Sequence, residues 1–343
     1  MRGSRSKRDA LARALFPLAE MSQRFLPLMA IAILLPQAAN ANAADVYPTR
    51  PIRLIVPFVA GGGTDLLARL VAPRFGEALG QQVVVDNRGG AGSVLGTQLV
   101  AKSAPDGYTL GMIDTAFAIN PSLADKLPYD AERDFSFVAI VATSPSLLVT
   151  HPGLKVRTLQ ELIAAAKKNP GKITFGSAGV GSSSHLSSEM FKTAAKIDLL
   201  HVPYKGAGAS LIEVIGGHAD LTIAVPGALL SQIQAGTLVP LAITGKKPSP
   251  LLPNVPTFAA AGFPSVNPES FRFMIAPAGL PATVQAALGK ALGVALSHAD
   301  LQARLTENGF DPEHLTDREA RAFVLREIQK WRQAVKDSGA KNN

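Results

Sequence analysis

The sequence contains no cysteine and few aromatic or charged residues. The absence of cysteine from all 343 positions excludes a thiol nucleophile, a disulfide framework, a Cys-ligated zinc site and an iron–sulfur cluster. Aromatic residues make up 6% and charged residues 17%, whereas 47% are hydrophobic, and there are 30 glycines and 25 prolines. This composition is typical of a globular protein with many tight turns, and the length suits about two domains.

The excess of positive charge is concentrated at the N-terminus. The net charge is +8, and residues 1–43 hold six basic against two acidic residues, which is half of that excess. The remaining charge shows only that anions are not repelled, and we expect no nucleic-acid partner.

The N-terminal segment has the layout of a secretory signal peptide. Met21 is followed by one arginine, an apolar stretch over 25–35 and small residues that end in Ala41-Asn42-Ala43. This order predicts a cleaved signal over 1–43, with Met21 as an alternative start, and a periplasmic mature chain that begins near Ala44. An uncleaved membrane anchor is the alternative, but the apolar stretch is shorter than the about 20 residues that a spanning helix needs.

The rest of the chain alternates short apolar runs, glycine-rich turns and amphipathic segments. This rhythm predicts an α/β fold with mainly parallel sheets. Helices are predicted over 93–101, 159–168, 281–297 and 317–337, and Pro73 is expected to kink or end the first helix. The predicted strands are 52–57, 83–86, 108–113, 138–142, 147–150, 173–175, 199–202, 221–225, 238–244 and 271–276.

One arrangement of strand, glycine loop and helix occurs twice. The strand IRLIVPF is followed by VAGGGTD (59–65) and LLARLVAPRF, and the strand KITF is followed by GSAGVGSSS (176–184) and HLSSEMFKTA. Glycine lets the backbone approach a ligand closely, and a helix start presents unpaired N–H donors. We therefore expect the two loops to close on one small anion across a cleft. The alternative is that both are ordinary α/β turns.

Neither loop contains Arg or Lys, so an anion there would be held by N–H and O–H donors. Such donors bind a carboxylate without the charge-assisted pair that release would have to overcome. Phe58 is expected either to form an apolar wall or to lie in the core. The predicted donors are Gly61, Gly62, Ser177, Ser182 and Ser183.

Four further positions have both a binding and a structural interpretation. Thr64 and Asp65 suit either the first loop's site or the cap and first turn of its helix. Thr115 follows the third strand and either reaches the mouth of the sheet or belongs to a turn. Asp220 ends the motif G-x-x-D and either contacts a ligand amine or hydroxyl or caps a turn, and the turn is favoured.

Several catalytic motifs are absent. The sequence has no G-x-x-x-x-G-K-[ST], no G-x-S-x-G and no G-x-G-x-x-G followed by a suitably placed acid, so a P-loop, an α/β-hydrolase elbow and a dinucleotide site are not indicated. Its six histidines show no metal-binding spacing. We expect no catalytic residues, no cofactor and no metal. A hydrolase that uses a serine of 182–184 is a less favoured alternative.

Long strings of the mature chain resemble one protein family from about Tyr47 to the C-terminus. They include YPTRPIRLIVPFVAGGGTDLLARLVA, VVVDNRGGAGSVLGTQLVAKSAPDGYTL, KITFGSAGVGSSSHLSSEMF and HVPYKGAGASLIEVIGGHADL. In this order they resemble the Bug proteins, the extracytoplasmic solute receptors of tripartite tricarboxylate transporters. The resemblance implies a two-domain clamshell of the periplasmic-binding-protein type (type II-like, Venus flytrap).

The resemblance also implies a division of the chain and a site. Domain 1 would comprise 44–145 and 246–343, and domain 2 would comprise 146–245, with hinges near 143–146 and Thr244. A small carboxylate would be held by loops 58–65 and 177–185 through amides, hydroxyls and waters, which adds Ala60, Gly179 and His185 to the candidates.

The implied ligand is a small carboxylate, which is a mono-, di- or tricarboxylate or an amino acid. The implied protein partners are the membrane permease subunits that receive this ligand. The receptor itself is expected to be a monomer. A sensor that signals to a membrane kinase would share the same binding chemistry. The segment 271–274 (FRFM) departs from the family pattern, as does 227–230, and both are candidates for the cleft lining.

Overall fold

The computed structural model describes residues 47–124, 126–245, 247–266 and 270–338, and the predicted signal segment 1–43 lies outside them. The strands are β1 Ile52–Val56, β2 Val83–Asn87, β3 Thr109–Asp114, β4 Phe135–Ser144, β5 Leu147–Thr150, β6 Thr174–Ser177, β7 Leu200–Pro203, β8 Leu221–Ala224, β9 Val239–Ile243, β10 Ser270–Pro277 and β11 Asp311–Thr316. The helices are α1 Gly63–Leu79, α2 Val94–Ala101, α3 Ala116–Leu123, α4 Leu159–Lys168, α5 Ser183–Ala195, α6 Ala207–Ile215, α7 Leu230–Gln234, α8 Ala282–Ser297, α9 Ala299–Glu307 and α10 Asp317–Ser338.

The strands form two sheets built on the same plan. The first sheet has the order β11-β4-β10-β3-β1-β2 and the second has the order β7-β6-β8-β5-β9. In each sheet three strands are parallel, β2-β1-β3 and β7-β6-β8. In each, the next strand, β10 or β5, is antiparallel to both of its neighbours. The predicted α/β clamshell fold is confirmed.

This plan brings particular chain segments to one edge of each sheet. The carboxyl ends of parallel strands lie at a common edge, and an antiparallel neighbour contributes its beginning there. In the first sheet this edge holds the ends of β1 and β3 and the start of β10. In the second it holds the ends of β6 and β8 and the start of β5. The loops that follow these strands are therefore placed to form a site.

Helices cover both faces of each sheet. Leu67, Val71 and Phe75 of α1 pack with α8 and α9 on one face of the first sheet, and Val324 and Trp331 of α10 pack on the other. The second sheet carries two smaller apolar clusters. Because strands covered on both faces are apolar throughout, β10 is buried at all eight positions.

All ten predicted strands and the four predicted helices are present within a few residues of their expected bounds. The strand β11 was missed, because its sequence DPEHLT is polar and contains Pro312. The expectation that Pro73 ends the first helix was wrong, since α1 continues to Leu79. The apolar face of α1 outweighs the one backbone hydrogen bond that a proline removes.

The chain passes from the first sheet to the second between Ser144 and Leu147, within the predicted hinge. There the Ser146 N–H donates to the Thr244 hydroxyl at 2.7 Å, and the Thr244 N–H donates to the Ser146 carbonyl at 2.8 Å. Val255, Phe258 and Val266 pack in the cores of the second sheet, although the predicted division assigned them to domain 1. The division itself stays a prediction. Within the described ranges, no helix is long and apolar enough to cross a membrane.

Candidate ligand-binding cleft

A cavity lies where the loop-bearing edges of the two sheets meet. Its volume is about 40 Å³. The first sheet and its loops contribute Phe58, Gly62, Gly63, Thr64, Asp114, Ser270 and Arg272, and the second contributes Ser146, Ala178, Ser183, Ser184, Ala207, Ile223, Ala224 and Val225. Of the thirteen predicted site residues, four line the cavity: Phe58, Gly62, Thr64 and Ser183.

Three helices begin at this cavity. The first residues of α1 (Gly63), α5 (Ser183) and α6 (Ala207) all line it. No side chain caps the starts of α1 and α6, whose N-cap residues are Gly62 and Gly206. The orphan N–H groups and positive dipole ends of three helices therefore converge on one small space, an arrangement suited to an anion.

The first glycine loop is shaped by Asp65 from behind the cavity. The Asp65 carboxylate accepts hydrogen bonds from the Gly61 N–H at 3.0 Å, from Asn87 at 3.0 Å and from Arg69 at 2.9 Å. Burial acts to raise the pKa of Asp65, but these hydrogen bonds outweigh it and hold the pKa below its usual range. Asp65 is thus a positioning residue for the loop.

The first loop also packs closely against the start of α6. A Cβ on Gly208 would lie 2.3 Å from the carbonyl oxygen of Ala60, and one on Gly62 would lie 3.3 Å from Cβ of Ala207. Ala60 and Gly61 therefore contact the other side of the cleft without lining the cavity. Glycine at 208 is required by this close approach.

The second loop is held by a chain of hydroxyl groups. Ser182 caps α5 by accepting from the His185 N–H at 3.3 Å, and its hydroxyl lies 3.1 Å from that of Ser184. The Ser177 hydroxyl accepts from the Gly179 N–H at 3.1 Å. Gly179 has a φ of 113°, which only glycine adopts readily. Ser177, Gly179 and Ser182 shape the loop, while Ser183 and Ser184 face the cavity.

His185, which is buried, and His201, which is half-buried, stack beside this loop. Their ring centroids lie 4.2 Å apart, and Nε2 of His201 lies 2.6 Å from the Ser177 hydroxyl. Burial, His201 and Lys192 lower the pKa of His185 to about 3, and burial and Lys192 lower that of His201 to about 4. Both imidazoles are neutral at pH 7. Neither lines the cavity.

Two further predicted residues make structural contacts. The Thr115 hydroxyl accepts from the Phe271 N–H at 3.0 Å and so ties the end of β3 to β10. The Asp220 carboxylate accepts from the N–H and hydroxyl of Thr174 at 2.7 and 2.8 Å. Thr174 begins β6, so Asp220 lies at the edge of the second sheet opposite the cleft. It serves as a turn residue, the favoured interpretation.

Sequence reasoning missed the charged floor of the cavity. Asp114 ends β3 and is paired in register with Arg272 of β10, and both side chains are buried. Burial raises the pKa of Asp114 against the opposing effects of Arg272, the Ala116 N–H and Thr64. Burial lowers the pKa of Arg272 to about 10, against the opposing effect of Asp114. Arg272 remains charged at neutral pH, so the cleft does contain a cation, supplied by a strand and not by a loop.

The unusual segment 271–274 was the one sequence feature that could have pointed to Arg272.

No group of three or more metal-ligating side chains is gathered in the described part of the chain.

Comparison with known proteins decides the family. The profile of the tripartite tricarboxylate transporter family receptor (TctC) matches residues 67–340. This chain belongs to that family. The receptor is 38% identical over 322 residues to protein BugT of Bordetella pertussis, an alignment that covers 93% of this chain and 98% of BugT.

Solved structures of similar proteins share the fold of the receptor. The periplasmic binding protein BugD matches with a TM-score of 0.83 and 32% identity, over 87% of this chain and all of BugD. A Rhodopseudomonas palustris protein solved with adipate matches with a TM-score of 0.83 and 34% identity, over 86% of this chain and 99% of that protein. Family and fold are those of solute-binding receptors.

Proposed function

We propose that this receptor binds a small carboxylate in the cleft described above and delivers it to the permease subunits of a tripartite tricarboxylate-type transporter. The observation that carries the proposal is the convergence of three helix N-termini and Arg272 on one cavity. These groups supply N–H donors and positive charge, and a carboxylate supplies two acceptor oxygens and negative charge. Adipate, bound by a similar protein, is a carboxylate.

The site supports binding in preference to catalysis. A serine hydrolase would need a serine, a histidine and an acid that face the substrate. The pair Ser177 and His201 is close enough at 2.6 Å, but neither residue lines the cavity. Ser183 and Ser184 line it without a histidine beside them in the lining. A binding protein that acts outside the cytoplasm fits the predicted signal segment 1–43.

The location is tested by expressing the full chain in a Gram-negative host and measuring the mass of the periplasmic product. We expect the mass of a chain that begins near Ala44. Recovery of the intact chain in the membrane fraction would contradict the proposed location and favour an uncleaved anchor.

The binding function is tested by thermal unfolding of the periplasmic product with small carboxylates and with their neutral amides. A ligand at 100 times its Kd stabilises the folded state by about 2.7 kcal/mol. We expect one group of carboxylates to raise the midpoint and the amides to leave it unchanged. Equal shifts with acids and amides would contradict the electrostatic basis of the proposal.

A further inference from the structure

The guanidinium of Arg272 is held at the floor of the cavity with most of its hydrogen-bond donors unused. Arg272 is 4% exposed. Nη1 donates to the Ser144 hydroxyl at 2.6 Å, and the ring of Phe310 lies 5.2 Å from the guanidinium carbon. Among the described residues no other acceptor bonds to it, and Nε is buried without a partner. Four of the five N–H donors of this arginine therefore lack a protein acceptor.

Such an arrangement is costly unless a ligand completes it. A buried charged group without hydrogen-bond partners destabilises a protein. Ser270 adds to the deficit, since its hydroxyl is also buried and unpartnered. Ser270 and Arg272 lie two positions apart on β10 and so share one face of the strand, and both line the cavity. The side chains of Ser270 and Arg272, both on the floor of the cavity, thus lack hydrogen-bond partners in the protein.

The position of the guanidinium defines where an anion would sit. A Cβ on Gly63 would lie 3.1 Å from Nη2 of Arg272, so the guanidinium lies beside the first residue of α1. One carboxylate can then accept from the guanidinium and from the free N–H groups of that helix start together.

Asp114 restricts what else such a ligand carries. Asp114 lines the same cavity. Both residues are described by the structure, and no nitrogen of Arg272 lies within 4.0 Å of an oxygen of Asp114. One oxygen accepts from the Ala116 N–H at 2.9 Å, and the other has only a long contact of 3.4 Å with the Thr64 hydroxyl. This second oxygen can accept another hydrogen bond. Because Asp114 and Arg272 are register partners on neighbouring strands, the carbon next to a carboxylate bound by Arg272 would lie close to this oxygen.

We infer that Arg272 binds the ligand carboxylate directly and that Asp114 selects ligands with a hydrogen-bond donor, a hydroxyl or an ammonium group, on the adjacent carbon. This inference rests on the proposed function and names the ligand class of the same cleft: 2-hydroxy or 2-amino acids. An unsubstituted acid would place only C–H groups beside the second oxygen of Asp114, which would stay buried with only its long contact to the Thr64 hydroxyl.

The ligand test needs no variant. Kd values are measured by calorimetry on the wild-type receptor for propionate, lactate and alanine, and for succinate, malate and aspartate, which differ within each set only at the second carbon. We expect at least one substituted acid to bind about 10- to 100-fold more tightly than its unsubstituted counterpart, the range for a hydrogen bond to a charged group. Tighter binding of lactate or malate would identify 2-hydroxy acids as the ligand class, and tighter binding of alanine or aspartate would identify 2-amino acids.

The residue test uses R272Q and R272K with R133Q as the matched control, since Arg133 is an exposed arginine far out on the surface, with 86% of its side chain exposed. We expect R272Q to raise the Kd of the preferred acid at least tenfold, R272K to restore part of the loss and R133Q to have no effect. If R272Q fails to fold, the double variant R272Q/D114N removes both buried charges and takes its place.

The outcomes separate the two levels of the argument. If the wild type binds acids equally with and without a hydroxyl or ammonium group on the second carbon, the role of Asp114 is overturned. If R272Q binds the preferred acid with unchanged affinity, the role of Arg272 is overturned. In both cases the proposed function as a carboxylate receptor would stand. A wild-type receptor that binds no acid of either set, nor any carboxylate in the thermal screen, would overturn the proposed function and this inference with it.

Discussion

Replacing Gly63 by alanine should weaken ligand binding without harming the fold. Gly63 is the first residue of α1, and its φ lies outside the left-handed region, so alanine can adopt its backbone conformation. Alanine in a helix is favoured over glycine by up to about 1 kcal/mol. The effect of the added methyl group therefore comes from the side chains it meets: Val225 across the cleft, and Arg272, whose Nη2 would lie 3.1 Å from the new carbon.

The magnitude follows from the distances to Val225. A Cβ at position 63 would lie 2.7 and 3.0 Å from the two methyl carbons of Val225, whereas carbon atoms pack at about 3.5 to 4.0 Å. Val225 is 4% exposed and β-branched, so its side chain cannot easily turn away. Overpacking of this size costs about 1 to 3 kcal/mol. That cost falls on the closed form, so Kd should rise about 5- to 150-fold.

The assay is calorimetric binding of the best carboxylate to the wild type, G63A, G289A and the double variant G63A/V225A. Gly289 is the matched control, because it also lies inside a helix and an added Cβ would meet no atom within 4 Å. G289A should bind as the wild type does, and V225A should restore much of the affinity lost in G63A. Unchanged binding by G63A, with its fold intact, would refute the closed arrangement of the cleft as the binding form.

Three further perturbations test the roles assigned around the cavity. S182A should lower the free energy of unfolding by about 1 kcal/mol through loss of the α5 cap, and it should change Kd less than S183A does. A larger effect of S182A than of S183A on Kd would contradict the assignment of Ser183 to the cavity lining. D65A should weaken both stability and binding by about 1.5 to 3 kcal/mol, because the hydrogen bonds to the Asp65 carboxylate position the first loop. R69A removes an exposed partner of Asp65 and should change stability by less than about 1 kcal/mol. Equal effects of the two variants in urea unfolding would refute this role of Asp65. His185 and His201 have pKa values of about 3 and about 4 in the folded state, below the usual 6.5, so the unfolded state protonates first and stability is lost as pH falls below about 6.5. The loss at pH 5 should be on the order of 2 kcal/mol for the buried His185 and smaller for His201, which solvent screens more. Thermal unfolding of H201Q should show a flatter pH profile than the wild type.

The sequence predicted the elements of the cleft better than their orientation. The glycine loops and the strands before them carry strong local patterns, which predicted a helix after each loop within a few residues of the observed starts at Gly63 and Ser183. Phe58, Gly62, Thr64 and Ser183 were found for that reason. The remaining predicted loop residues act behind the cavity, because a tight loop needs as many polar groups to hold its own backbone as to face a ligand.

The charged floor could not be placed from sequence. The strand SFRFMIAP is buried on both faces, so it shows no alternation that would reveal which face Arg272 points to. Asp114 was missed by one position, since Thr115 was the only residue after β3 that the sequence analysis considered. The pairing of Arg272 with Asp114 depends on β10 returning to the first sheet beside β3, after more than 100 residues in the second sheet and its loops. Only the topology contains that information.

A receptor must release what it captures, and an isolated buried arginine would oppose release. Asp114 changes this balance, because its Coulombic interaction with Arg272 opposes the effect of burial on both groups before any ligand is bound. A ligand carboxylate therefore gains less than it would beside an isolated buried cation. When the cleft opens, water can reach the guanidinium and compete for the donors that the ligand used. Closure then makes the interaction strong through exclusion of water, and opening makes it weak, so that one arginine can serve both capture and release.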